Sequence, residues 1–338
     1  MSRTGVTARA LGLAAAAGLL AASAPASAQA VASAQTPVCQ SIALPTPAGT
    51  HFSSVNGGDP SGRYLVGVAS GTGFSQGVLW VDGRLKPIGQ RALEPYVQTE
   101  FDAVNSRGEI VGDRMTDDSS FHTDAFVYRH GRFTLLPAPH KGDATEALAI
   151  NARGDIVGYA LGASGRQAVE WPANRPGTVR VLTTPGAAPG FASGIDADGT
   201  VVGYLGSLPT SIPYVWPAHG RGHRLPLQKG VVSGDALAVR QGWATGNVLD
   251  PVTGSSVAVL WNLRTGHVTV YKNEQGAAQA VNRWGTIGVA GGAIVYTDGR
   301  VVRVNGWVNV VTDRGVAAGA TSQFAGHAVI WPCRPSGH

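Results

Sequence analysis

Apolar and polar positions alternate along this chain in short runs, and one run returns again and again. Residues 147–158 read Ala-Leu-Ala-Ile-Asn-Ala-Arg-Gly-Asp-Ile-Val-Gly, and close copies stand at residues 101–112 and 192–203. Looser copies occupy residues 236–246, 278–289 and 308–319, and a stretched one residues 52–67. Each copy predicts two short strands joined at Asn-x-x-Gly, where glycine supplies the positive φ of a tight turn. A third strand follows a loop of variable length and ends in an aromatic: Trp80, Tyr128, Trp171, Trp216, Trp261, Tyr296 or Trp331. After a further turn, often glycine-containing, a fourth strand closes the unit, as at residues 133–136 and 301–304.

Such short strands cannot bury both faces alone, so the sheets must stack on one another. The residue before the Ile or Val of the first strand is small in six copies (Ser54, Ala103, Ala149, Gly194, Ala238 and Ala280) and Val310 in the seventh. Small residues there suit inner strands crowded around an axis. Seven copies at a period in the forties predict an all-β, seven-bladed β-propeller of four-stranded blades. The last copy stops after three strands, while residues 41–45 resemble a fourth strand and precede the first copy. The N-terminal strand is therefore expected to complete the last blade. Cys39 and Cys333, the two cysteines of the chain, stand at those ends and would lock the ring in an oxidising compartment. On the chain-entropy view that crosslink contributes about 5 kcal/mol.

The repeated Ala-x-x-Ile-Asn-x-x-Gly-x-Ile-Val-Gly segment, with Asp124-Ala125-Phe126 and His327-Ala328-Val329 before the aromatic strand, resembles the HAF repeat of secreted bacterial proteins. The resemblance is strongest over residues 123–159. Arg240 stands where asparagine is expected in the fifth copy, and the sixth and seventh copies are short. The resemblance implies a secreted repeat protein and brings no general activity with it.

The first residues change the picture of where the protein goes. Arg3 and Arg9 precede an apolar run at residues 11–20, and small-residue cleavage sites follow at residues 26–28 and 32–34. That pattern predicts a secretory signal peptide over residues 1–28, a disordered linker over 29–37, one propeller domain over 38–333 and a tail over 334–338. The formal charge of +5 falls to +3 without the two leader arginines, and no Lys/Arg cluster forms a phosphate-binding stripe. Nucleic acid is not an expected partner. No later run of 18 apolar residues predicts membrane insertion, and a secreted, extracellular monomer is expected.

In a four-stranded meander, the first-to-second and third-to-fourth turns share one face of the ring. The second-to-third loops and the blade connections share the other, which here holds the longer and more varied segments. Binding groups favour variable loops on rigid scaffolds. The residues after the Val-Gly step end on that face near the axis: Asp113, Tyr159, Tyr204 and Asn247. They would form an arc able to bind a sugar or peptide by stacking and hydrogen bonds, although these residue types are also ordinary at strand ends. No cofactor is expected. The nine histidines show no metal spacing, and Asp117, Asp118, His122 and Asp124 read as a solvated polar loop rather than a cation site. Gly73-Phe74-Ser75-Gln76-Gly77 matches the hydrolase Gly-x-Ser-x-Gly pattern but leads into a strand.

The primary expectation is thus a non-catalytic extracellular module that binds a glycan, peptide or protein. The alternative is a carbohydrate-active or other hydrolytic enzyme, with carboxylates about 5 to 10 Å apart in the central pocket. Its candidates are Asp113, Glu146, Asp235 and Glu274, with Asp102 on an inner strand. A third reading, a structural envelope component, finds no wall-binding tail in the chain.

Overall fold

The computed structural model describes residues 38–116, 122–207 and 209–333. The expected leader, linker and tail lie outside them, as do Asp117 and Asp118. The described residues form seven antiparallel sheets that close into a ring, a seven-bladed β-propeller. The innermost strands are Thr50–Gly58, Gln98–Val104, Ala144–Ile150, Gly190–Ile195, Gly234–Arg240, Ala278–Val281 and Trp307–Val311. Each touches the next around the ring, and the seventh touches the first.

The seventh blade is completed from the other end of the chain. Its own strands, Trp307–Val311, Ala317–Ala320 and Ala328–Trp331, are joined by Ile42–Ala43, antiparallel to the last. A second clasp was not foreseen: Val38–Cys39 adds a parallel fifth strand to the outer edge of blade six, beside Val301–Val304. Cys39 there bonds Cys333, just past the last strand of blade seven, with Cα atoms 5.7 Å apart. One short N-terminal stretch thus ties the two final blades to each other.

The repeated residues acquire physical reasons from this geometry. Every inner strand carries a register shift at the same place, for example between Phe101 and Ala103 or between Ala147 and Ala149. This β-bulge bends the inner strand and brings it close to the second strand. An ideal Cβ on Gly112 or Gly158 would lie 1.9 Å from the carbonyl oxygen of Glu100 or Glu146. Only glycine fits this close approach, which accounts for the Val-Gly step.

The turn asparagines work in two directions. Asn151 Oδ1 accepts from the backbone N–H of Arg153 and Asp155, while its Nδ2 donates to the Asp196 carbonyl of the next blade. Asn105 and Asn282 repeat this, donating to the Asn151 and Thr312 carbonyls. In blade five, Arg240-Gln241-Gly242-Trp243 makes a two-residue hairpin with positive φ at Gln241 and Gly242. Arg240 therefore has no turn to cap and reaches Asp313 of blade seven, with Nη2 2.8 Å from Oδ2.

The aromatics staple blades together at the outside. Trp80, Trp171, Trp216 and Trp261 donate from Nε1 to the carbonyls of Pro45, Pro137, Thr183 and Pro226 at 2.7–2.9 Å. Each acceptor follows the fourth strand of the preceding blade, so one indole both fills the core and fastens its neighbour. Trp331 is the exception, with its buried Nε1 unpartnered.

Candidate functional site

The antiparallel register assigns one equivalent pair to each blade, formed by the inner-strand residue before the repeat and the residue after the Val-Gly step. These pairs lie toward the face carrying the second-to-third loops. In blades two to five they are Glu100/Asp113, Glu146/Tyr159, Phe191/Tyr204 and Asp235/Asn247. In blades one and seven they are Ser54/Val68 and Trp307/Ala320, and in blade six Ala277 bonds Ala290. One arc of the ring is therefore acidic and aromatic, and the remainder is apolar or small apart from Ser54. The fold requires neither acid nor phenol at this position, since three blades do without.

The four expected residues sit in this arc and are linked through residues that sequence reasoning missed. Phe191 is sandwiched between Tyr159 and Tyr204, with ring centroids 4.8 Å apart on each side and interplanar angles of 26° and 16°. Arg166 lies over the Tyr159 and Phe191 rings, 5.9 and 5.8 Å from their centroids, and its positive charge acts on the Tyr204 phenol. Burial, a hydrogen bond to Glu146 and the negative charges of Glu146 and Asp113 push the Tyr159 phenol above its ordinary range. Tyr204 is raised by burial and then by the charge of Asp235.

The acidic end of the arc is crowded. Asp102 is the bulged residue of blade two, and its carboxyl interacts with that of Asp113 on the adjacent strand. Burial is the main cause that raises both, and the charges of Glu100 and Glu146 add to it; Asp113 is pushed up to about 8. Glu100 is raised by burial and then by Glu146, despite a hydrogen bond from Gln98. Asp102 Oδ2 is sealed from solvent and faces no donor. At the other end, burial raises Asp235 against the opposing effect of Ser211 and Asn247, and its Oδ1 is buried without a donor.

Asp102, Asp113 and Glu146 thus converge, Asp235 ends the same arc, and Glu274 does not join them. Glu274 lies near the end of His267–Gln275, the outer strand of blade five, where both Arg303 guanidinium nitrogens hold it at 2.5 and 2.8 Å. Asp124 is likewise engaged, by Arg114 Nε and Nη2 at 3.1 and 2.9 Å. Ser75 lies in the strand Phe74–Val81 with its hydroxyl 2.8 Å from that of Ser70, so the Gly-x-Ser-x-Gly match belongs to a hairpin. Among the described residues no three His, Cys, Asp or Glu side chains are disposed to hold a metal ion.

A cavity of about 340 Å³ occupies the axis at the opposite, tight-turn face. Its wall includes Val104, Ile150, Ile195, Val239, Val281 and Val311, which stand at or next to the ends of the inner strands of six blades, and Arg240 and Asp313 meet at its rim. Sequence reasoning did not single out this mouth, because its lining consists of ordinary core residues.

No protein-family model and no curated protein sequence matches the chain, so the likeness to the HAF repeat rests on the repeated segment alone. Solved structures of similar shape exist. A putative TolB from Agrobacterium tumefaciens is 9% identical with a TM-score of 0.49, over 65% of this chain and 80% of that one. TolB from Acinetobacter baumannii is 12% identical with a TM-score of 0.45, over 65% of this chain. The match spans 54% of that protein's length. A gluconolactonase from Xanthomonas campestris, XC5397, is 12% identical with a TM-score of 0.42, over 87% and 95% of the two chains.

Proposed function

We propose that this chain is a secreted binding module of the HAF-repeat type, which takes a glycan or peptide at the arc of blades two to five. One observation carries the reading. A pair of positions that three blades fill with small or apolar residues holds seven carboxyls, amides or phenols and a stacked phenylalanine in four consecutive blades. Aromatic faces and buried acceptors in one place are the means by which proteins hold sugars and peptide side chains. The Cys39–Cys333 bond suits an oxidising compartment outside the cytoplasm. No helix among the described residues is long and apolar enough to cross a membrane. The leader over residues 1–28 would deliver the chain there as a free monomer.

The interacting pair Asp102 and Asp113 favours a second reading, a hydrolase in which one carboxyl gives a proton while another takes one. Glycan and peptide arrays, run beside hydrolysis assays on the same compounds, separate the two readings. Saturable binding without turnover is the expected result. Turnover abolished by Asp113→Asn would establish the hydrolase instead.

A further inference from the structure

Resting on the binding reading above, we infer that the ligand of this arc carries an organic cation, an ammonium or guanidinium group, seated between Asp235 and the Glu100–Asp102–Asp113–Glu146 cluster.

The first argument is charge balance. Glu100, Asp102, Asp113, Glu146 and Asp235 share the arc, yet no cationic side chain among the described residues figures in the forces on Glu100, Asp102, Asp113 or Asp235. Arg166, the guanidinium of the arc, lies over the Tyr159 and Phe191 rings. Elsewhere in the chain Glu109, Asp155 and Glu274 are paired with Arg107, Arg153 and Arg303, while the buried Asp59 and Asp196 accept from backbone N–H and hydroxyl groups instead. The arc is the place where acids gather without such partners, and buried carboxylates are costly unless a cation or proton joins them.

The second argument is hydrogen-bond supply, independent of charge. Asp235 is 7% exposed and its Oδ1 has no donor. A ligand that fits must bring N–H or O–H groups to buried oxygens. No three of these acids are placed to hold a metal ion, so the positive charge must arrive with its own donors. An ammonium brings three and a guanidinium five. The third argument is the aromatic wall: Tyr159 and Phe191 already carry the Arg166 guanidinium on their faces, the geometry by which rings receive cations.

Calorimetric titration of the full chain tests this with two matched pairs of probes. One pair is acetyl-Gly-Lys-Gly-amide and its Nε-acetyl-lysine counterpart; the other is the glucosamine trimer and its N-acetylated form. The charged member of at least one pair is expected to bind about tenfold tighter than its acetylated partner, and the tighter pair identifies a peptide or amino-sugar source. Asp235→Asn, and separately Glu100→Gln, should erase that ratio while the Tm shows each variant folded. Equal or tighter binding of the acetylated members overturns the cationic ligand and leaves the binding site standing. Failure of all four probes overturns the inference and counts against the binding reading as well. A ratio that survives both folded variants places the cation elsewhere and also overturns it.

Discussion

Asp102 and Asp113, on adjacent strands of the second blade, raise one another's burden of buried negative charge, with Glu100 and Glu146 adding to it. Asp102 occupies the bulge position, which three other blades fill with a donor to the next blade. Asn56 and Asn309 stand at the same place and donate from Nδ2 to the carbonyls of Phe101 and Val55 in the following blade, and Ser193 donates to that of Ala236. Only a protonated Asp102 could do the equivalent.

Asp102→Asn is therefore expected to stabilise the protein. The amide removes a buried acid from three others and supplies the donor that blades one and seven use. A gain of about 1–2 kcal/mol at pH 8 is expected, read from urea denaturation, together with weaker binding of a cationic ligand. A loss of stability would show that Asp102 is held by contacts other than those described.

The same pair sets a pH dependence of definite sign. Folded-state values of Asp102 and Asp113 are raised, so between the ordinary carboxylate range and about pH 8 the native state binds more protons than the unfolded chain. Stability from these groups is full at the acid end and is lost as pH rises through that window. The slope is about 1.4 kcal/mol per pH unit for each proton concerned. Glu109 and Asp155 act oppositely. Burial works against them, but hydrogen bonds from Arg107 and Asn105 to Glu109, and from Ala173, Asn151 and Arg153 to Asp155, hold both low. Their contribution disappears only as pH falls below the ordinary carboxylate range. Denaturation at pH 5, 6.5 and 8 should show declining stability in the native chain and a flatter profile in Asp102→Asn.

How the sequence conveys these features differs from one to the next. The ring, the blade boundaries and the Cys39–Cys333 bond were legible because each is written in a repeat or in the two ends that the repeat leaves over. Asp113, Tyr159, Tyr204 and Asn247 follow a visible Val-Gly step. Asp235 and Glu146 were named only as candidate carboxylates, and Glu100 and Phe191 were overlooked, although each immediately precedes a repeat copy and would emerge from aligning the copies. Asp102 was noted only as an inner-strand acid, because its meeting with Asp113 depends on a bulge that adds a residue to one strand. The parallel strand Val38–Cys39 left no pattern to read: two residues have no period.

The indole staples permit a difference measurement. Trp261→Phe deletes a hydrogen bond and leaves the Pro226 carbonyl without its donor, whereas Trp331→Phe removes an N–H that is already unpartnered. Both lose similar ring area. Trp331→Phe should therefore be the milder change by about 1–2 kcal/mol, measured from denaturation midpoints at matched m-values.

Paired replacement of Cys39 and Cys333 by serine opens a loop spanning 294 positions. A loss of about 5 kcal/mol is expected on the chain-entropy view, seen as a lower denaturation midpoint that reducing agent no longer affects. Unchanged stability would mean that the two N-terminal strands hold the ring without the bond.

The central claim is that the acidic and aromatic arc, rather than the cavity at the opposite mouth, is where this propeller binds. The most direct measurement compares ligand binding to the native chain with two variants, Tyr204→Ala in the arc and Arg240→Gln at the rim of the 340 Å³ cavity. Any array-selected ligand should lose at least about tenfold in affinity to Tyr204→Ala and bind Arg240→Gln as the native protein does. Loss confined to Arg240→Gln would contradict the account and move the site to the other face.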